Sequence, residues 1–213
     1  MAPPPAALAR SRPGPRAERT REAILAAAES RFAEHGFAAT RLEDIAEAVG
    51  IRRASIVYHF RDKAELYDAV IADVLGALRA RLEPILLAGG PLVRRAERAV
   101  SAWVDFVAER PAVARLVLRE VADAAPGREP AIVRHSRPFF DLVGRVLADA
   151  DDPVRTRAVD PVQIASAVAG ATVFHVAAMP ILLPGFGYQP LAPERVEALR
   201  REVLDATRRL LGD

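Results

Sequence analysis

The chain has no cysteine, a single lysine (Lys63), one tryptophan and three tyrosines. Without thiols there is no disulfide framework, no thiolate metal site, no cysteine nucleophile and no thiol redox sensor. That composition fits a cytoplasmic protein. Neither sign of charge dominates, since 30 Lys and Arg face 28 Asp and Glu for a net charge of +2. There is no HExxH, no glycine-rich phosphate loop and no GxSxG. No acid, base and nucleophile converge, so the reading is not an enzyme, with no metal and no cofactor. Little two-residue alternation and few β-branched runs occur, whereas Ala, Leu, Arg and Glu are abundant, which favours helices. At 213 residues, 51% hydrophobic and 27% charged, the chain is long enough to bury a substantial core in one or two globular domains.

Charge is also missing locally. Residues 161–193 carry no Asp, Glu, Lys or Arg. Much of that stretch is Ala, Gly, Ser and Thr, Pro180, Pro184, Gly185 and Gly187 interrupt it, and neither flank has a dense positive cluster. A helix buried on several sides explains it better than a membrane span, so no membrane partner is expected. The first fifteen residues are rich in Pro and Ala and lack a continuous apolar core before a cleavage site. They read as a disordered basic leader. Arg10, Arg12 and Arg16 could track phosphates or enter a minor groove.

Residues 40–63 carry the strongest local signal. Thr40 and Glu43 have capping-box spacing. Leu42, Ile45, Ala46 and Val49 recur on one helical face, and Gly50 follows as a left-handed stop. A second short helix from about Arg52 to His59 should bury Ile56, Val57 and Phe60. Asp62 and Glu65 form a second capping box, opening the next helix. Two short helices about a tight turn can set one of them in a major groove. Arg52 and Arg53 stand where the helix dipole is already positive and a Ser or Asp cap would be worth roughly 1 kcal/mol. Beside phosphates or a guanine edge the same arginines are well placed. Residues 1–63 hold 11 Lys and Arg against 8 Asp and Glu, and the remainder is close to neutral, which suits one nucleic-acid face.

Ile24, Ala28, Phe32, Gly36, Thr40, Ile45, Ala46, Gly50, Ser55, Tyr58, His59, Phe60, Lys63 and Leu66 fit without a gap the pattern of one family. Residues 20–66, about a fifth of the chain, resemble the DNA-binding domain of the tetracycline-repressor (TetR) family of bacterial regulators. The resemblance implies an all-α fold of about nine helices. A leader (1–15) would precede a three-helix DNA-binding domain (16–62) and a ligand-binding and dimerisation domain (63–213). It implies a homodimeric regulator, most simply a repressor, released from a near-palindromic double-stranded operator by a small, hydrophobic effector. An activator of the same fold and a helical protein-binding adaptor are the alternatives. The candidate DNA contacts are Thr40, Arg52, Arg53, Ser55, Tyr58, His59 and Lys63. Arg53, Ser55 and Tyr58 are assigned to bases or their surroundings, and Thr40, His59 and Lys63 to phosphates. Where the family commonly places a phosphate-touching Tyr, this chain has Val57, which cannot donate.

The remaining helices are expected at about 17–35, 63–82, 92–109, 111–125, 130–150, 160–179 and 193–211, with Pro84 ending or kinking the second of these and Pro138 kinking or splitting the fifth. The last two should pair with those of a second subunit. Ala167, Gly170 and Ala171 would permit close approach, and Val196, Leu199, Val203, Leu204, Ala206 and Leu210 would form the other seam. Trp103, Phe106, Leu116, Phe139, Phe140, Phe174, His175 and Met179 are the candidate effector-pocket residues.

Overall fold

Ile24, Ala28 and Phe32 recur every fourth residue, and in the computed structural model, which describes residues 14–124, 129–148 and 160–211, all three are fully buried. They lie on α1 (Pro15–Ala39), which runs on through a kink at Gly36 (φ 77°, ψ 171°) instead of stopping at His35. Only glycine tolerates that backbone cheaply. α2 (Leu42–Val49) and α3 (Arg53–His59) follow, with Gly50 left-handed between them (φ 74°). Ile45, Ile56 and Phe60 turn inward beneath α1. Val57 does not, contrary to expectation. At 46% exposure it lies on the outer face of α3, because a two-turn helix can bury only one edge.

The long α4 (Lys63–Leu86) connects this head to the rest of the chain. Asp62 caps it, accepting the Glu65 N–H at 2.8 Å, while the Glu65 carboxylate accepts the Arg61 N–H instead of closing a box on Asp62. Pro84 does not end α4, which continues to Leu86. The proline sits on the exposed side, where a missing ladder bond costs least. α5 (Leu92–Glu109) and α6 (Ala112–Ala122) come next. α7 (Ala131–Ala148) passes through exposed Pro138 as one helix, so of the two expected outcomes, a kink or a split, the split does not occur. The expected residue 125 of α6 and residues 149–150 of α7 lie outside the described residues, as does most of the leader.

The uncharged stretch begins as a helix with an irregular centre. α8 (Pro161–Ala165) passes into a π turn (Ser166–Gly170) and on into α9 (Ala171–Ala177). The short α10 (Met179–Leu182) and a 3₁₀ turn (Pro184–Phe186) precede α11 (Pro193–Leu211). No helix among the described residues is long and apolar enough to cross a membrane. The fold is all-α, an N-terminal helix-turn-helix head on a C-terminal helical body. One core runs from α1 through α4, α6 and α7, and a smaller cluster of Val100, Val104, Val168, Leu199 and Val203 joins α5, the π turn and α11.

Candidate nucleic-acid interface and effector region

The turn between α2 and α3 leaves the start of α3 open. Arg52 has extended backbone and occupies the cap position with no side-chain cap bond. Both it and Arg53 are exposed, and the Arg53 Nε lies 3.1 Å from Glu43 Oε1 on α2. That surface ion pair is weak and exchangeable. Further along α3, Ser55 is half-buried and Tyr58 is 82% exposed. A large aromatic so open at the end of a short helix has a surface to offer. Arg53, Val57 and Tyr58 therefore lie on the outer side of α3, with the inward edge taken by Ile56.

Beside α3 lies an open cleft of about 610 Å³, lined by Arg41, Arg53, Val57, Arg61 and Lys63 among others. It forms where the end of α1 meets the first turns of α2 and α4, whose backbone N–H groups and dipoles favour an anion. Arg41 and Arg61 were not singled out from the sequence. Each adjoins a helix start, Arg41 ahead of Leu42 and Arg61 ahead of Asp62, and a basic residue at such a place was the available signal. Asp62 is held below the usual carboxylate range by the Glu65 N–H and the Arg61 side chain, so it stays ionised within this basic rim.

Thr40 and Lys63 are elsewhere engaged. Thr40 is 1% exposed and gives its hydroxyl to the Gly36 carbonyl at 2.7 Å, with the Arg31 carbonyl at 3.1 Å. Nor does it cap α2. Arg41 holds that position and its N–H donates to Asp44 at 3.3 Å. Lys63 directs its ammonium to the carbonyls of Phe37, Thr40 and Ala38 at 2.7, 3.0 and 3.2 Å, and lies 4.6 Å from the Phe37 ring centroid. The residues after Gly36 leave carbonyls without helical partners, which Lys63 satisfies, while Thr40 serves those of Gly36 and Arg31. In this conformation both side chains spend their donors on these carbonyls, with Lys63 half-buried at the edge of the cleft. His59 is half-buried, and burial, then the charge of Arg21, pull its pKa below the ordinary value. It is neutral near pH 7.

The eight candidate pocket residues differ in their surroundings. Phe106 and Leu116 are core side chains, whereas Phe140 and Phe174 are exposed. Phe139 is half-buried against the main core and Trp103 bridges both clusters, its Nε1 buried without a hydrogen-bond partner among the described residues. His175 is half-buried, with the Tyr188 hydroxyl 3.0 Å from Nδ1 and the Pro190 carbonyl 3.3 Å from Nε2, and Met179 is half-buried. None of the eight lines the cleft beside α3, or those near Pro111 and Pro91. Helical spacing marks a residue as inward-facing but does not say whether it meets core, ligand or another subunit.

Two helices about a glycine turn, basic at their outer rim and mounted on an all-helical body, define a helix-turn-helix protein of the regulatory class. Residues 24–70 match the model of bacterial regulatory proteins of the tetR family, and residues 93–207 match the tetracyclin repressor-like C-terminal domain. The chain belongs to the tetR family of bacterial transcriptional regulators. Over 106 residues it is 33% identical to the HTH-type transcriptional regulator RutR of Escherichia coli K12, covering 50% of each chain. It thus matches about half the length of that relative. Its fold is similar to that of the transcriptional regulator FadR from Bacillus subtilis in complex with stearoyl-CoA (TM-score 0.66, 16% identity, 87% of this chain and 96% of the other). It is also similar to AibR in complex with isovaleryl coenzyme A and operator DNA (TM-score 0.66, 15% identity, 88% and 97%).

Proposed function

We propose that this chain is a homodimeric repressor that binds a near-palindromic operator through α3 and leaves it when a small, hydrophobic effector enters the helical body. The observation that carries the DNA reading is the open start of α3. There Arg52 and Arg53 sit uncapped and exposed beside the exposed Val57 and Tyr58. Arg53, Ser55 and Tyr58 are the base-side candidates, with Arg52, Arg41 and Arg61 toward phosphates. His59 is a phosphate candidate that would have to gain a proton or donate as the neutral ring. The boundary between head and body falls near the start of α4.

Support for the dimer comes from α8 and α9. Val162, Ser166, Gly170 and Phe174 recur every fourth residue and are all exposed, Val162 by 67% and Phe174 by 49%. Ile181 and Leu182 extend this apolar surface. A second copy would cover it. Leu199 and Val203 of α11, expected in the same seam, already pack against Val100 and Val104 of α5, with Val196 and Leu204 beside them, leaving the half-buried Ala206 and Leu210. Two heads related by a two-fold axis would enter successive major grooves roughly 34–36 Å apart.

The effector reading draws on the acyl-CoA complexes of FadR and AibR, which share this fold, and makes acyl-CoA thioesters the first probes to try. The test is fluorescence anisotropy of the protein on the duplex upstream of its own gene and on duplexes selected from a random pool, against scrambled controls at two salt concentrations. Tight, salt-dependent, selective binding with a two-fold footprint is expected. Equal weak binding to selected and scrambled duplexes would overturn the DNA reading.

A further inference from the structure

Two consecutive residues at the end of α6 reach in opposite directions. Arg119 turns to the head, where its Nε donates to the carbonyl of Ala33 at 3.1 Å and its Nη2 to that of Glu34 at 2.8 Å. Glu120 turns to the body. One carboxylate oxygen accepts the Tyr67 hydroxyl of α4 at 2.9 Å, and the other accepts the Ile132 N–H in the first turn of α7 at 2.9 Å. The Tyr67 ring stands edge-on to Phe32 and Phe37 of α1. Burial and Glu120 push its phenol well above the usual tyrosine range, so it remains a donor. At the other end of the helix, Arg110 pairs with Glu29 of α1 and Asp73 of α4.

The end of α1 is therefore closed by three side chains of different origin. Thr40 and Lys63 come from the head and its border with α4, and Arg119 alone comes from the body. The backbone is shaped to admit it. A Cβ at Gly36 would lie 2.9 Å from the Arg119 Nη1, and that glycine already holds φ 77°. The carbonyls of Ala33 and Glu34 are at the last full turn before the kink, where partners are lacking, so the guanidinium binds the point at which the head bends away from the body.

We propose that Arg119 is a positioning residue for DNA reading. It sets the angle of the head against the body, and Glu120 couples it to α7, giving the body a route to the head through α6 alongside α4. This rests on the DNA-binding reading of α3. A displacement of α7 draws on the Glu120 carboxylate and shifts the neighbouring guanidinium on the α1 carbonyls. The head tilts without any change at α3 itself.

The absence of cysteine makes the test clean. Nitroxides on Ala48→Cys of α2 and Glu202→Cys of α11, both exposed positions, report the distance between head and body in the full chain. Dilution with unlabelled protein restricts the signal to pairs within one chain. Arg119→Gln should broaden that distance distribution and weaken binding to a selected duplex about tenfold, with the salt slope unchanged because no phosphate contact is lost. Arg119→Lys, which can still reach one carbonyl, should recover part of both and carries the test if Arg119→Gln does not fold. An unbroadened distribution would overturn the proposal, as would a slope reduced by about 1, the mark of a direct phosphate contact. Glu120→Ala should broaden the distribution with Arg119 intact, and an unchanged distribution there would remove α7 from the route. If the wild type selects no duplex, the DNA reading fails while the distances still decide the clamp.

Discussion

Two groups of basic residues surround the small head and have opposite environments. Lys63 and Arg119 point inward, and between them they hold five backbone carbonyls at the end of α1. Arg41, Arg52, Arg53 and Arg61 are exposed, Arg53 pairing with Glu43 and Arg61 with Asp62 and Glu65 at the surface. Position in a family pattern does not distinguish the groups, since Lys63 sits where a phosphate contact is expected. The partner of the charge does. A cation whose donors are filled by protein oxygens contributes to shape, and one left in water can exchange that water for a phosphate.

Substitutions should separate the two groups, with the largest effects at the inner one. Gly36→Ala would place a side chain at φ 77° and push against Arg119. The expected loss is about 3 kcal/mol, at the upper end of the range for such backbone strain, and a thermal melt reads it. Lys63→Ala would leave three carbonyls without their donor. A loss of about 2 kcal/mol is expected, or roughly 4–8 °C in Tm for a chain of this size, with the salt slope of DNA binding almost unchanged. A slope reduced by about 1 would return Lys63 to the phosphate set.

The outer group should show the reverse. Arg53→Ala should leave stability within about 0.5 kcal/mol, weaken operator binding by about 1–2 kcal/mol and relax preference at one position of each half-site. Binding that falls equally on all operators would assign Arg53 to the backbone. Arg52→Ala should lower the salt slope by about 1.

His59 lies between the groups and carries the smallest effect. Its folded-state pKa is depressed, so the unfolded chain takes up the proton first. Stability is then full above the unfolded value of about 6.5 and declines as pH falls through it toward the lowered folded value. Denaturant titrations at pH 7.5 and 5.5 should show a small loss that His59→Gln abolishes. An equal loss in the variant would place the titration elsewhere.

Local rules made the head readable. Gly50 as a helix stop, Asp62 as a cap and the stripe of Ile24, Ala28 and Phe32 depend on neighbours within a few residues, and each is where the spacing puts it. The bounds of α5 and α11 were legible for the same reason, set by prolines and glycines. Failures came where the partner is remote in sequence. Thr40 has capping spacing to Glu43, yet a carbonyl four residues back takes its hydroxyl. Lys63 looked free because nothing in its own helix shows that residues 37–40 end beside it. Arg119, 86 residues from Ala33, had no local signature at all. The effector residues were least legible, because Phe106 and Phe174 have the same apolar character and opposite exposure.

The π turn at Ser166–Gly170 gives the body a further property. Its hydrogen bonds span one residue more than those of an α-helix, so the segment behaves as a helix with one surplus residue. Removing that residue, for example by deleting Ala169, would let α8 and α9 run as one regular rod. A bulge takes up its extra residue within its own turn, so the helices on either side would keep nearly the facing they have, and Phe174 would stay on the side of Val162. The same deletion inside α9, where no residue is surplus, would rotate everything after it by about 100°. The π turn therefore marks where the surface proposed for a second copy could lose a residue and keep its two halves aligned.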